Sequence, residues 1–179
     1  IVCVMKKAIL YSLLLIFLAF SLFVIYTITN PTSPLETVST ENQDISITYS
    51  RPYKKNRLIF GDEKDGALVP NGVYWRTGAN KHTFIETKKT LIFNTDSLSP
   101  GKYSIYTIPD SQSWDIYFNK EVYYLGIYQP STESDVLNSK VSTSQLFNSV
   151  EQFTIEFSND SIFNYIDFSW DKTKVCLLY

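Results

Sequence analysis

The residue types that could bind a ligand are concentrated in one segment of the chain, 49–80. All three arginines lie in it, whereas the lysines are scattered along the whole chain. The arginine guanidinium is a planar fork of donors that can hold a carboxylate or a phosphate at two points. Aromatic rings such as those of Tyr49 and Tyr53 can stack on sugars or on guanidinium groups. The candidate binding residues are Arg51, Arg57, Tyr74, Trp75, Arg76 and Asn80.

Two interpretations of this segment stay open. In the first, the segment forms an anion or glycan site. In the second, which we prefer, each arginine pairs with an internal carboxylate or with loop carbonyls. We expect Arg76 to be structural because it leads into a tight turn over 77–80. We expect Arg57, in a polar stretch rich in lysine, to be the most exposed of the three.

No catalytic motif is visible in the sequence. It contains no Gly-x-Ser-x-Gly, no phosphate loop, no His-Glu-x-x-His and no Cys-x-x-Cys. His82 and Glu86 supply two metal ligands, which do not make a site, and Cys176 lies in an alternating run typical of a packed strand. We therefore predict no catalytic residues, no metal and no cofactor, and we favour a protein that is not an enzyme. A hydrolase that uses paired carboxylates stays open, because such pairs converge only in three dimensions.

Residues 8–28 form an uncharged run long enough to cross a membrane as a helix. Lys6 and Lys7 precede it and predict that residues 1–7 stay in the cytoplasm, with Met5 as the true start. We expect an uncleaved signal anchor in the cytoplasmic membrane, with the C-terminal domain outside, in the periplasm. The alternative is a signal peptide that is cleaved and releases a secreted protein.

The rest of the chain has the size of one domain and a mildly acidic charge. The chain has 16 basic and 18 acidic residues, and with Lys6 and Lys7 removed the exported part has a net charge of −4. That charge argues against a nucleic-acid partner. Its single cysteine, Cys176, cannot form an internal disulfide. The expected partners are the membrane, through residues 8–28, and a glycan or another envelope protein.

Residues 29–43 are polar and predict a flexible stalk, whereas residues 44–179 predict an antiparallel β domain. Only 131–146 could hold a short helix. Many short strands separated by turns favour a β-sandwich or a flattened barrel, preceded by one transmembrane helix. Apolar and polar residues alternate in four runs, Ile45–Tyr49, Trp114–Asn119, Phe153–Ser158 and Ile166–Asp171.

The ordered motifs of the domain resemble those of the bacterial family called domain of unknown function 2911. They are Tyr49-Ser50-Arg51-Pro52, Arg57-x-Ile59-Phe60-Gly61, Leu68-Val69-Pro70, Trp75-Arg76-Thr77-Gly78-Ala79-Asn80, Pro100-Gly101-x-Tyr103-Ser104, Trp114-x-Ile116-x-Phe118-Asn119, Glu151-x-Phe153-x-Ile155-x-Phe157 and Trp170-Asp171-Lys172-Thr173-Lys174-Val175. The resemblance implies an exported or lipid-anchored protein, and the family carries no assigned activity. Lys81 and His82 stand where the family pattern continues with an acidic residue and Ala, and Asn138 replaces a frequent Arg. Any family site that uses those two charges is altered in this chain.

Overall fold

The computed structural model describes residues 2–122, 126 and 128–179, with side chains from Leu10 onward. The side chains of the predicted cytoplasmic start, 1–7, lie outside the described part. Strands dominate the chain and one long helix precedes them. The predicted class, an all-β domain after an apolar helix, is confirmed.

The first of two compact units, 1–34, contains helix α1 (Val2–Thr29). Within it, Leu10–Thr29 has a mean hydropathy of 2.4 over 20 residues. At ~1.5 Å per residue this stretch is ~30 Å long, the thickness of a hydrocarbon core. The helix is therefore an apolar N-terminal segment of the kind that signal anchors and signal peptides share.

The second unit, 35–179, is a β domain. Its strands are β1 (Leu35–Ser39), β2 (Ile45–Ser50), β3 (Phe60–Gly61), β4 (Val69–Pro70), β5 (Thr83–Thr87), β6 (Leu91–Phe93), β7 (Asp96–Leu98), β8 (Gly101–Pro109), β9 (Ser113–Asn119), β10 (Asp135–Asn159) and β11 (Asn164–Leu178). Seven of them form one curled antiparallel sheet, a half-barrel, in the order β1-β2-β5-β8-β9-β10-β11. The pairs β3–β4 and β6–β7 are separate. In the part of the chain that the structure describes, two short 3-10 helices, Glu63–Asp65 and Thr132–Ser134, lie in connections. The second falls inside 131–146, the region predicted to allow a helix, but from Asp135 onward that region belongs to β10.

The β domain begins at Leu35, nine residues earlier in the sequence than predicted. Leu35–Ser39 is part of the predicted stalk, 29–43, yet it forms β1 and pairs with β2 from Leu35 opposite Ser50 to Ser39 opposite Ser46. β1 is an edge strand and its residues are alternately exposed. An edge strand can be short and polar on one face, so its sequence resembles the polar sequence of a flexible stalk.

The core follows the alternation that the sequence predicted for β2. Ile45, Ile47 and Tyr49 point into the domain and are fully buried. Next to them the rings of Trp75 and Trp170 stack at 5.9 Å between centroids. Buried aromatic rings remove large apolar surfaces from water, and they give a domain without an internal disulfide its main source of stability.

Two long-range contacts curl the sheet. The bridge between Tyr53 and Gln152 joins the chain after β2 to β10. The Tyr179 amide donates to the Asn164 carbonyl oxygen at 2.9 Å, although β11 would be ~50 Å long if straight. β11 therefore folds back on itself, and the bend lies at Asp171, where φ is +51°.

Candidate functional site

Arg51, the first candidate binding residue, is engaged by the protein itself. Its Nη1 lies 2.5 Å from Glu36 Oε2. Its Nε donates to the Phe153 carbonyl oxygen at 3.1 Å, and its Nη2 donates to Thr154 Oγ1 at 2.8 Å. The guanidinium therefore links β1 to β10, which is the internal pairing that the structural interpretation predicted.

Arg57 is the one exposed arginine of the three, as predicted. Its Nε donates to the Lys54 carbonyl oxygen at 2.9 Å, and its Nη2 donates to the Tyr53 carbonyl oxygen. Between these residues, Lys55 and Asn56 have φ values of +48° and +58°, a conformation that costs energy outside glycine. Arg57 therefore stabilises a strained turn.

Trp75 belongs to the core and is 8% exposed. Its Nε1 donates to the Gly78 carbonyl oxygen at 3.0 Å. At Gly78 φ is +149°, and a Cβ there would lie 2.8 Å from the Ser50 carbonyl oxygen. The Trp-Arg-Thr-Gly-Ala-Asn motif thus packs a turn against the end of β2, and its indole is not a surface platform for a ligand.

Tyr74, Arg76 and Asn80 are the candidates that the structure brings together. Arg76 Nη1 lies 3.5 Å from the Asn80 carbonyl oxygen, which also accepts a hydrogen bond from the Gly126 amide at 2.9 Å. Burial raises the pKa of Tyr74, and the positive charge of Arg76 opposes this. A Cβ on Gly126 would lie 2.9 Å from Arg76 Cδ. The Arg76 side chain therefore packs against Gly126, and a binding role for this group stays a prediction.

A cleft that no sequence motif indicated opens where three loops meet. The loops are 40–44 after β1, 88–90 after β5 and 160–163 after β10. We call it the loop cleft; its volume of about 350 Å³ lies in the range of small-molecule sites. It is lined by Ser39, Thr40, Glu41, Asn42, Lys89, Phe157, Ser158, Asn159, Asn164 and Tyr179.

Four polar side chains of the loop cleft are available to a ligand. Among the described residues, the side chains of Glu41, Lys89, Asn159 and Asn164 have no internal hydrogen-bond or ion-pair partner. An amide side chain offers two donors and an acceptor, an ammonium offers donors, and a carboxylate offers acceptors. The cleft therefore presents both donors and acceptors. Asn42 differs, because its side-chain amide bonds Asp44 and Thr40 and shapes the loop.

One wall of the loop cleft is aromatic. The Tyr179 ring contacts Phe157 edge to face at 6.1 Å between centroids, and it also contacts Phe93 at 6.5 Å. The backbone bond from Tyr179 to Asn164 holds this ring beside the β10–β11 turn. Burial raises the pKa of the Tyr179 phenol, so the hydroxyl stays protonated at neutral pH and can donate a hydrogen bond.

A second depression, the outer groove, lies at the other end of β1. Leu35, the first residue of β1, lines it, whereas Ser39, the last, lines the loop cleft. Four residue steps at ~3.3 Å each separate these ends by ~13 Å. The groove has a volume of about 290 Å³ and is lined by Leu35, Thr48, Lys81, His82, Phe84, Lys102 and Val122.

His82 and Cys176 are held in environments that suppress their charged forms. His82 Nε2 lies 3.1 Å from the Tyr128 carbonyl oxygen, and burial lowers the pKa of the imidazole. Burial, together with the nearby Asp167 carboxylate, raises the pKa of Cys176 to about 11. A protonated thiol is a poor nucleophile. In the part of the chain that the structure describes, no group of three or more His, Cys, Asp or Glu side chains is placed to hold a metal ion.

Sequence reasoning missed the loop cleft because its residues are far apart along the chain. Asn159 and Asp160 have the composition of a turn, and Glu41 and Asn42 lie in the predicted stalk, 29–43. The one available signal is the number of Asn, Ser and Thr residues at the ends of strands, and turns have the same composition.

The chain matches the family model for proteins of unknown function, DUF2911, over residues 33–178. The match begins just before β1 and ends with β11. The chain belongs to this family. The resemblance found in the sequence motifs is thereby confirmed. No curated protein and no solved structure matches the chain. Membership of DUF2911 agrees with a domain that begins at β1, and it assigns no activity.

Proposed function

We propose that this DUF2911 protein is a non-catalytic binding domain tethered to the outer face of the cytoplasmic membrane, and that its loop cleft binds a saccharide of the cell envelope. One observation carries the proposal: side chains without internal partners surround a cleft that has an aromatic wall. These four side chains are exposed, so water satisfies them in the free protein. Polar groups that converge on one concave surface and hold no internal partner can exchange their waters for a ligand.

The chemistry of the loop cleft matches a hydroxyl-rich ligand. Each sugar hydroxyl both donates and accepts, as do the amides of Asn159 and Asn164. The apolar face of a sugar ring can pack on Tyr179. Among the described lining residues Glu41 is the single carboxylate, whereas glycoside hydrolysis ordinarily uses a pair. This supports binding without cleavage.

The tether proposal rests on α1 and on the lysines before its apolar stretch. A positive N-terminal flank favours a cytoplasmic N-terminus, which places the β domain outside. We expect the chain to stay in the membrane fraction after carbonate extraction and to lose its β domain to protease added at the outer face. Recovery of a soluble form that begins near residue 30 would contradict the anchor and favour a cleaved signal peptide.

β1 connects the start of the domain to the loop cleft. The chain enters the domain at Leu35 and reaches the cleft at Ser39. Within the β domain, the cleft residue Ser39 therefore lies ~13 Å along β1 from Leu35, the first residue of the domain.

Calorimetric titration of the full-length protein in nanodiscs tests the proposal, with a neutral N-acetylglucosamine tetrasaccharide and soluble peptidoglycan fragments as probes. A hydrogen bond contributes ~0.5–1.5 kcal/mol net, so Asn159→Ala should weaken binding by about 2- to 12-fold. Asn138→Ala is the matched control, because Asn138 is exposed on β10 and does not line the cleft. Absence of binding to both probes, or equal weakening by the two variants, would reject the saccharide site.

An envelope protein is a second candidate ligand for the same end of the domain. Ile162 is 80% exposed at the tip of the β10–β11 turn, beside the half-exposed Phe163. Exposed apolar side chains at a loop tip favour protein contact over sugar contact. Site-specific crosslinking from position 162 in intact cells, with position 138 as the control, distinguishes a protein ligand from a saccharide. Only a protein partner gives a discrete protein adduct.

A further inference from the structure

We propose that the outer groove binds the headgroup of an acidic phospholipid in the membrane that α1 crosses. This inference rests on the proposed membrane tether, and it adds a second binding site at the opposite end of β1 from the loop cleft. The bound lipid would hold the tethered domain with the outer groove toward the bilayer. The loop cleft would then face the envelope.

The charge of the outer groove is complementary to an anion. The exported part has a net charge of −4, yet the charged side chains that line the groove are those of Lys81 and Lys102, since burial disfavours the charged form of His82. Lys102 Nζ lies 3.8 Å above the Phe84 ring and 2.7 Å from Glu86 Oε1. Because this ion pair is about half exposed, its stabilisation is weak. A phosphate can therefore compete with Glu86 for the ammonium.

The remaining lining matches the apolar part of the same lipid. Leu35, Phe84 and Val122 contribute apolar surface to the groove that the two lysines also line. A lysine that keeps its stem on apolar surface and its ammonium in water is typical of a membrane interface. A lining that combines two lysines with apolar side chains favours an amphiphile over a free anion.

The length of the chain keeps the outer groove close to the membrane. Leu35 follows the last helical residue, Thr29, by six positions. Extended chain covers at most ~3.3–3.6 Å per residue, so Leu35 lies within ~22 Å of the end of the helix in any orientation of the domain. The groove can reach a headgroup without any rearrangement of the β domain.

The test uses the full-length chain in nanodiscs made of phosphatidylcholine alone or with added phosphatidylglycerol. Mass spectrometry then measures the rate of amine acylation at each lysine. A lysine near an anionic surface gains about 1 kcal/mol, so Lys81 and Lys102 should react about fivefold more slowly in the acidic discs. Lys88 and Lys89, at the loop-cleft end, are internal references whose rates should stay unchanged.

Two variants test whether the protection of Lys81 depends on the outer groove. Lys102→Gln should reduce the protection of Lys81, whereas Lys120→Gln, which changes an exposed lysine outside the groove, should not. Equal acylation rates in both kinds of disc would overturn the lipid site. Equal protection by inorganic phosphate in phosphatidylcholine discs would also overturn it, because the groove would then bind any anion. A chain that fails to enter nanodiscs would contradict the tether and this inference together, and the saccharide titration of the loop cleft would then be made on the full-length chain in solution.

Discussion

Arg51 and Glu36 form an ion pair, 2.5 Å from Nη1 to Oε2, that attaches the edge strand β1 to the chain just after β2. Their side chains are 23% and 38% exposed, so the pair alone stabilises the fold modestly. The same guanidinium also bonds Phe153 and Thr154 of β10. One arginine thus joins strands that lie more than a hundred positions apart along the chain.

Arg51→Ala should therefore lower the free energy of unfolding by about 1–3 kcal/mol, because it removes an ion pair and two hydrogen bonds. Chemical denaturation of the full-length chain measures the change. Arg57→Ala is the control: its guanidinium is exposed and bonds only carbonyls of its own turn, and it should cost less than about 1 kcal/mol. Equal losses for the two variants would refute the assignment of Arg51 as a brace between strands.

Gly78→Ala should destabilise the domain more than Gly72→Ala does. Both glycines have positive φ, +149° and +72°, and each substitution therefore carries backbone strain of about 1–2 kcal/mol. At Gly72 a Cβ meets open space, whereas at Gly78 it would lie 2.8 Å from the Ser50 carbonyl oxygen. The comparison of melting temperatures measures the cost of that contact together with the difference in backbone strain between the two φ values. Similar melting temperatures would show that the turn after Trp75 can shift.

Acid should destabilise the domain partly through Asp171. This carboxylate accepts hydrogen bonds from Lys54 Nζ at 2.5 Å and from Ser149 Oγ at 2.8 Å. Burial alone would raise its pKa, but these bonds and the charge of Lys54 outweigh burial and hold the pKa below its usual value. The stabilisation is complete above the unfolded pKa of about 4 and is lost as the pH falls through the lower folded pKa.

Asp171→Asn tests this because asparagine tolerates the φ of +51° at that position. The variant should melt at a lower temperature than the wild type at neutral pH, and the two melting temperatures should converge in strong acid. Asp96→Asn changes an exposed carboxylate of β7 and controls for loss of charge. A constant difference between wild type and Asp171→Asn across the pH range would contradict the role of the ionised carboxylate.

Cys176 should react slowly with thiol reagents. With its pKa raised to about 11 by burial and by Asp167, the thiolate fraction at pH 8 is about 0.1%. Peptide-resolved mass spectrometry should therefore show alkylation of Cys176 on the order of 100-fold slower in the folded chain than in the chain unfolded by urea. A folded-state rate that approaches the unfolded one would mean that the thiol is accessible and ionised.

Local periodicity was sufficient to predict the central strands. Ile45, Ile47 and Tyr49 alternate with polar residues, and all three are buried on one face of β2. Side chains along a strand alternate between its two faces, so a half-buried strand shows its period in any short window. The edge strand β1 shows a weaker alternation. For this reason its sequence, Leu35–Ser39, predicts a stalk although it forms a strand.

Only the tertiary structure shows which side chains that are far apart in the sequence contact one another. Composition indicated that each arginine would find an internal carboxylate or a carbonyl, but only the fold shows that Arg51 reaches Glu36 and that Arg57 closes its own turn. The loop cleft likewise joins Glu41, Lys89 and Asn159, whose separations along the sequence carry no period. Burial on one face of a strand repeats every second residue, so a short stretch of sequence is enough to predict it. The choice of contacts between distant segments depends on how the sheet curls, and no short window of residues contains it.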